Sequence, residues 1–383
     1  MKKILIVHNK YRFLGGEDIA VQNEIKLLEK HYIVKTLFFN NKEINFLNQF
    51  FSFLINRNLS SNKIILNEID SFKPDVIYIH NTWFKVSLGI FNITKNKNVK
   101  TILKLHNFRY DCTRSYLLKN HIGKKDFCLK CGLNKDDSLL FNKYFKDSIL
   151  KSLLIIRYGK KYFKILKNNN ISIVVLTKFH KEFLIDIGID SEKISILPNY
   201  SNHALQDSSK EKSNFILYAG RISEEKGVED LISSFLNSKM ESLILKIVGE
   251  GPNLNFLKAK YRNDRIEFLG SMPNEKVLRL IEKSTAIVTA TKLFEGQPTL
   301  LYEASLLKKP SIFPDSGGIK EFFPENYKYM YQQFNYKDLE NKINLLGDKE
   351  LVLSEGVRSN KYILNYLNEK NIVKRFESII NGR

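Results

Sequence analysis

The sequence predicts an α/β protein made of two αβα domains, and three observations carry that prediction. Apolar runs of four to seven residues, bounded by turn residues, alternate with stretches of helical period, which is the pattern of parallel βαβ units. A polar segment interrupts this alternation near the middle of the chain. At 383 residues the polypeptide also exceeds what one hydrophobic core organises, so two domains of roughly 150 to 200 residues are expected.

In the first half the apolar runs at 4–7, 76–79, 101–105 and 171–176 read as strands, and in the second half those at 215–219, 243–248, 266–269, 286–290 and 311–313. Leu197-Pro198-Asn199-Tyr200 and the Ser-, Asn- and charge-rich stretch 201–213 read as an interdomain linker. The expected organisation is an N-terminal domain over 1–196, a linker over 197–213 and a C-terminal domain over 214–359. Closing helices follow over 360–383, where Tyr362, Ile363, Tyr366, Ile372, Val373 and Phe376 keep a helical period. Hydrophobic residues are 43% of the chain, enough for two cores and too many for a disordered polypeptide.

Three segments carry residues suited to chemistry at strand ends. After the first strand, Gly15-Gly16-Glu17-Asp18 opens a helix with Ile19, Val21, Ile25 and Leu28 inward. Paired glycines let backbone N–H groups approach a ligand at a helix N-terminus, or they simply make the turn with Asp18 as a cap. The segment is not the G-x-G-x-x-G dinucleotide fingerprint. After the strand at 215–219, Gly220-Arg221 and Lys226-Gly227 span a strand-to-helix turn. A guanidinium fork and a mobile ammonium at the C-terminal edge of a sheet suit a diphosphate, although two such cations are also ordinary surface residues.

The third segment is Glu295-Gly296-Gln297-Pro298-Thr299-Leu300-Leu301-Tyr302-Glu303, followed by Asp315-Ser316-Gly317-Gly318. Pro298 suits the first turn of a helix, which leaves Glu295 in the loop before it and Glu303 more than a turn inside. The helix start at Gly296, Thr299 and Leu300 offers N–H groups to phosphate or sugar oxygens, and the two carboxylates accept hydrogen bonds from hydroxyls.

The E-x7-E spacing of Glu295 and Glu303, with Gly220 to Gly227, Val248-Gly249-Glu250-Gly251-Pro252 and Leu269-Gly270, resembles the retaining family 4 glycosyltransferases, the group 1 glycosyl transferases. The resemblance implies the GT-B fold, two Rossmann-like αβα domains facing a central cleft, with the acceptor on the N-terminal domain and a nucleotide-sugar donor (UDP- or GDP-sugar) on the C-terminal one. It implies that Arg221 and Lys226 bind the donor diphosphate, that Glu303 holds the ribose and that Glu295 contacts the transferred sugar. Gly15 and Gly16 would face the diphosphate, and His106, in Leu105-His106-Asn107, matches the family's active-site histidine. The aspartate common after that histidine is Asn107 here. No metal and no further cofactor are implied, which agrees with the absence of an Asp-x-Asp motif. The expected activity is transfer of a sugar with retention in the synthesis of a bacterial capsule, O-antigen or exopolysaccharide.

The net charge of +20 is concentrated in residues 1–200, which hold 34 Lys and Arg against 17 Asp and Glu. Such a balance suits a membrane surface, a nucleic acid or a pyrophosphate-linked substrate, and AT-rich codon usage would produce it as well. The stretches 46–59 and 143–167 mix apolar residues with cations; as basic amphipathic helices they lie either on anionic bilayers or against the core. The first places the protein at the inner face of the plasma membrane with a polyprenyl-diphosphate-linked saccharide as acceptor, the second leaves a soluble acceptor. No nucleic-acid motif is present, so a basic nucleic-acid-binding protein is the weaker reading and no such partner is expected. A GT-B sugar-nucleotide 2-epimerase is the nearest enzyme alternative.

No run of about 18 apolar residues occurs and the N-terminus reads as a first strand, so a cytoplasmic protein is expected. Cys112, Cys128 and Cys131 fit that reducing compartment; with His121 they resemble half a zinc knuckle, and otherwise they are free thiols.

Overall fold

The computed structural model describes residues 1–10, 16–40, 52, 54–112, 128–130, 132, 148–168, 170–200 and 214–382. The chain divides into two compact units, one formed by Met1–Ser201 with Glu369–Arg383 and the other by Asn202–Asn368. Each is built on a parallel six-stranded sheet.

In the first unit the strands are β1 (Lys3–Lys10), β2 (Ile33–Asn40), β3 (Val76–Asn81), β4 (Lys100–Leu105), β5 (Ser172–Val175) and β6 (Ile194–Ile196), in the spatial order β2-β1-β3-β4-β5-β6. Ile4, Leu5, Ile6 and Val7 of β1 are completely buried, as are Ile77, Tyr78 and Ile79 of β3. Both faces of these strands are therefore covered, which is why the sequence reads there as continuous apolar runs. Helices α1 (Gly16–Leu28), α2 (Leu59–Phe72), α3 (Gly89–Asn96), α4 (Arg109–Cys112), α5 (Ile149–Asn168) and α6 (Lys178–Asp186) connect the strands. Local chemistry sets their ends: Asn58 Oδ1 accepts from Ser61 N at 3.1 Å to cap α2, and Thr177 Oγ1 accepts from His180 N at 3.1 Å to cap α6.

The second unit contains β7 (Phe215–Ala219), β8 (Ile244–Val248), β9 (Ile266–Gly270), β10 (Ala286–Val288), β11 (Ser311–Pro314) and β12 (Met330–Tyr331), ordered β12-β11-β10-β7-β8-β9. Its helices are α7 (Val228–Leu236), α8 (Leu254–Lys260), α9 (Asn274–Lys283), α10 (Thr299–Leu306), α11 (Tyr336–Asn344) and α12 (Lys349–Tyr366). Asp348 Oδ1 caps α12 by accepting from Glu350 N and Leu351 N at 3.1 and 3.0 Å.

The segment 360–383, read from its period as closing helices, is split between the units. Its first part completes α12, and after Leu367-Asn368 the chain forms α13 (Glu369–Asn381), which belongs to the first unit. Side-chain chemistry places it there. Glu369 accepts from Lys30 Nζ at 2.9 Å and from Tyr200 Oη at 3.0 Å, while Phe376 packs on Tyr32 and Tyr78 with ring centres 5.7 and 5.3 Å apart.

Strands β2, β6 and β12 were not among the expected ones. β2 is an edge strand with one buried residue, Phe39; β6 and β12 are three and two residues long. None carries enough buried apolar length to announce itself.

Candidate active site

In both sheets the chain reverses its winding between two neighbouring strands, β1 and β3 in the first unit, β7 and β10 in the second. The loops leaving the C-terminal ends of such strands diverge and open a crevice, the usual ligand site of open α/β sheets. The residues predicted for the second unit gather at its reversal point, whereas His106 lies one strand further along the first sheet, after β4.

In the second unit the turn after β7 carries Arg221 and Lys226, and the loop after β10 carries Thr291 and Glu295. Lys226 Nζ donates to Glu295 Oε1 at 2.5 Å, and Thr291 Oγ1 donates to the same oxygen at 3.0 Å. Oε2 is left without a hydrogen bond among the described residues. Arg221 reaches outward, 66% exposed, with Nη1 3.9 Å from Glu225 Oε1. At this exposure the contact holds the guanidinium weakly, and the side chain can turn to an incoming anion.

Helix α10 starts beside this pair. Its N-cap is Pro298, and no side chain caps it, so the first-turn N–H groups, Thr299 and Leu300 among them, point out of the helix start. Gly296 lies in the preceding loop, partly exposed. One turn inside the helix, Glu303 is 2% exposed, and its Oε1 accepts from Asn274 Nδ2 of α9 at 3.3 Å. Burial raises its carboxyl to about 7, against a smaller opposing effect of the Asn274 hydrogen bond. At neutral pH Glu303 is therefore balanced between acid and carboxylate, which suits a group whose carboxylate form is favoured when a ligand supplies further donors.

Glycines make the close approaches this site needs. Gly227 has φ +64°, and a Cβ there would lie 2.0 Å from the Ala290 carbonyl oxygen of the neighbouring loop. Gly317, at φ +61°, lies so close to the backbone of Glu295 that a Cβ would be 2.3 Å from its oxygen; Gly318 N donates to that same oxygen at 2.8 Å. The loop after β11 thus braces the Glu295 loop, and only glycine fits.

In the first unit the corresponding edge is lined by histidines. His8 on β1 donates from Nε2 to Asp18 Oδ1 of α1 at 2.8 Å, with both side chains buried. His80 on β3 is 4% exposed, and its Nδ1 lies 3.1 Å from His106 Nε2 beyond β4. His106 itself is half-buried. Burial, followed by the Lys104 charge, His8 and His180, holds His106 well below the usual histidine range; His80 is lowered by burial, His106, Lys104 and His8. Both rings are neutral at pH 7. Beneath them Lys104 is fully buried and donates to Glu24 Oε2 of α1 at 2.8 Å, while Tyr78 Oη donates to Glu24 Oε1 at 2.8 Å.

Gly16 begins α1, and Gly15 lies outside the described residues. Cys131, His121 and the Cys112 side chain also lie outside them, while Cys128 is buried. The sequence reading missed the ring partner His80, the pair Glu24 and Lys104, and the carboxylate partners Thr291 and Asn274. A lysine inside the apolar run Thr101-Ile102-Leu103-Lys104-Leu105 was the available signal, since an unpaired lysine in a central strand is prohibitively costly.

With this geometry in view, residues 202–364 match the model of the family described as glycosyl transferases group 1. TuaC of Bacillus subtilis strain 168, named for teichuronic acid biosynthesis, is 27% identical over 43% of this chain and 45% of its own length. The amylovoran biosynthesis glycosyltransferase AmsD of Erwinia amylovora is 24% identical over 55% of this chain and 62% of its own. The chain thus aligns with about half the length of these curated relatives. Among solved structures, HepE of Anabaena in complex with UDP and glucose superposes with a TM-score of 0.67 at 14% identity, over 100% of both chains. The architecture is that of the GT-B glycosyltransferases.

Proposed function

We propose that this chain, whose residues 202–364 match the glycosyl transferases group 1 family, is a glycosyltransferase that moves a sugar from a nucleotide-sugar donor to a saccharide acceptor in the synthesis of a surface polysaccharide. The observation that carries the reading is the group at the second sheet's reversal point: Lys226 bound to Glu295, the uncapped start of α10, and the buried Glu303 behind it. Arg221, Lys226 and the N–H groups of Gly296, Thr299 and Leu300 bind the diphosphate, with Gly15 and Gly16 of the N-terminal domain as further contacts. Glu303 accepts from the ribose hydroxyls. Glu295 uses Oε1 to hold Lys226 and offers Oε2 to a hydroxyl of the transferred sugar.

As the bond from the anomeric carbon to the diphosphate lengthens, positive charge builds on the sugar and negative charge on the leaving group. Arg221 and Lys226 stabilise the latter without a metal ion. The acceptor hydroxyl attacks from the leaving group's face, so configuration is retained, and His106 contacts the sugar. The hydroxyl passes its proton to the departing phosphate oxygen as the bond from the anomeric carbon to the diphosphate breaks. The donor is a UDP- or GDP-sugar; HepE, which has this fold, is known with UDP and glucose.

A polyprenyl-diphosphate-linked saccharide at the inner face of the plasma membrane is the proposed acceptor. The start of α5 supports it, since Ile149, Leu150 and Leu153 are about half exposed beside the exposed Lys151, a combination suited to an anionic bilayer. No described helix is long and apolar enough to cross a membrane.

Thermal-shift titration with UDP- and GDP-sugars, followed by transfer assays with and without EDTA, tests the proposal. A true donor raises Tm by mass action, and transfer persists in EDTA. Arg221→Ala and Lys226→Ala each lower donor affinity by about tenfold or more, as loss of a charged hydrogen bond implies. No stabilisation by any nucleotide sugar, with no transfer, refutes the assignment.

A further inference from the structure

The histidines of the first unit carry more than a contact to a sugar. His80 sits on β3 between His8 of the neighbouring β1 and His106 at the end of β4. Its ring lies 4.4 Å from that of Tyr78, stacks on that of His106 at 5.4 Å and 26°, and meets His8 edge-on at 6.3 Å. His80 is packed on three sides, whereas His106, just beyond the strand end, is only partly buried as a residue.

We propose that His80 is a positioning residue that holds His106 as the Nδ1–H tautomer, so that His106 presents a hydrogen-bond donor, not a base, to the bound sugar or phosphate. The tautomer is deduced from the ring contacts; the identity of the ligand rests on the glycosyltransferase reading.

Two neutral imidazoles whose Nδ1 and Nε2 lie 3.1 Å apart share one proton. If His106 Nε2 donated, the proton of His80 would sit on its own Nε2, a buried atom with no hydrogen-bond partner. An orphaned buried N–H is rarer than an under-used acceptor, and this one would also face an unfavourable field. The groups around the rings are His8 on β1, Tyr78 on β3, Lys104 on β4, Asp18 and Glu24 on α1, and His180 on α6. Lys104 is the charged side chain that acts on both rings. A cation favours a lone pair on the unpaired nitrogen over an N–H. His80 therefore donates from Nδ1, its Nε2 carries the lone pair, and the proton of His106 is left on Nδ1. That atom makes no hydrogen bond among the described residues.

Histidine-labelled protein examined by 15N NMR tests this directly, with His106→Ala assigning the signals. The wild-type protein should show His106 protonated on Nδ1 and unchanged from about pH 6 to about pH 8. His80→Phe keeps the ring packing and removes the donor, so His106 should shift toward Nε2–H, the form a free histidine side chain prefers. In transfer assays kcat/KM should fall about 5- to 100-fold, the range for a lost buried hydrogen bond. His80→Asn, whose amide nitrogen stands near the position of Nδ1, should restore both the tautomer and most of the rate. A wild-type His106 protonated on Nε2, or a tautomer unaltered in His80→Phe, overturns the proposal. If His80→Phe does not fold, the wild-type tautomer decides alone. If the wild-type protein transfers no sugar, the functional reading fails while the NMR result still stands.

Discussion

Glu303 makes the stability of the second unit depend on pH in a direction opposite to that of most carboxylates. Its ordinary value of 4.5 is raised to about 7 by burial. Below about pH 4.5 the carboxyl is protonated in both folded and unfolded chains and costs nothing. Between 4.5 and 7 the unfolded chain has released the proton and the folded one has not, so stability falls as pH rises; above 7 the full cost is present. At about 1.4 kcal/mol per unit the cost is about 3 kcal/mol. Glu303→Gln has nearly the same shape and no charge to bury.

The variant should therefore match the wild type near pH 4.5 and exceed it by about 3 kcal/mol near pH 8. For a unit of this size that is a rise in Tm of about 6 to 12 °C in its transition. Donor binding should move the other way. Ribose hydroxyls donate to the ionised carboxylate, so the Kd of the wild type for a nucleoside diphosphate should rise about tenfold from pH 8 to pH 6, and that of the variant should be weak and flat. Differential scanning calorimetry and isothermal titration calorimetry at the two pH values measure both quantities. Equal pH dependence of stability in the two proteins would refute the assigned burial cost, and equal donor affinity would remove Glu303 from the site.

Two contrasts probe the scaffold around the sites. Gly227→Ala meets both a left-handed φ and the Ala290 carbonyl oxygen, whereas Gly270→Ala, at φ +72°, has no atom within 4 Å of the added carbon. Urea denaturation should show a loss of about 1–2 kcal/mol for Gly270→Ala from backbone strain alone. Gly227→Ala should lose at least a further 1–3 kcal/mol from overpacking; equal losses would contradict the close approach. In the first unit Lys104→Met strands Glu24 as a buried unpaired carboxylate and should cost about 3–5 kcal/mol, while Lys104→Met combined with Glu24→Gln should recover most of it. A double-mutant cycle by denaturation checks this, and additive losses would mean the pair is not coupled.

Most strands of the two sheets were legible in the sequence because burial on both faces favours continuous apolar runs, which β1, β3, β5, β7, β10 and β11 supply. Strands β4, β8 and β9 remain legible with one charged residue inside each, Lys104, Lys246 and Glu267. The motifs Gly220–Gly227 and Glu295–Glu303 were legible because turn glycines and a helix start fix the chemistry of a few neighbouring residues. What the sequence could not express is pairing across the sheet. Glu24 meets Lys104 across 80 positions, His80 meets His106 across 26, and Lys226 meets Glu295 across 69. A local signal, such as Lys104 inside an apolar run, marks at most one member of a pair and never names the residue it meets. Strand order decides the pairs, by setting β3 between β1 and β4 and β7 beside β10. The same holds for the last helix, whose apolar period shows that it packs but not where; the partners Lys30, Tyr200 and Tyr78 assign it to the first unit. Periodicity records that a face is buried, and only the folded chain determines which face it meets.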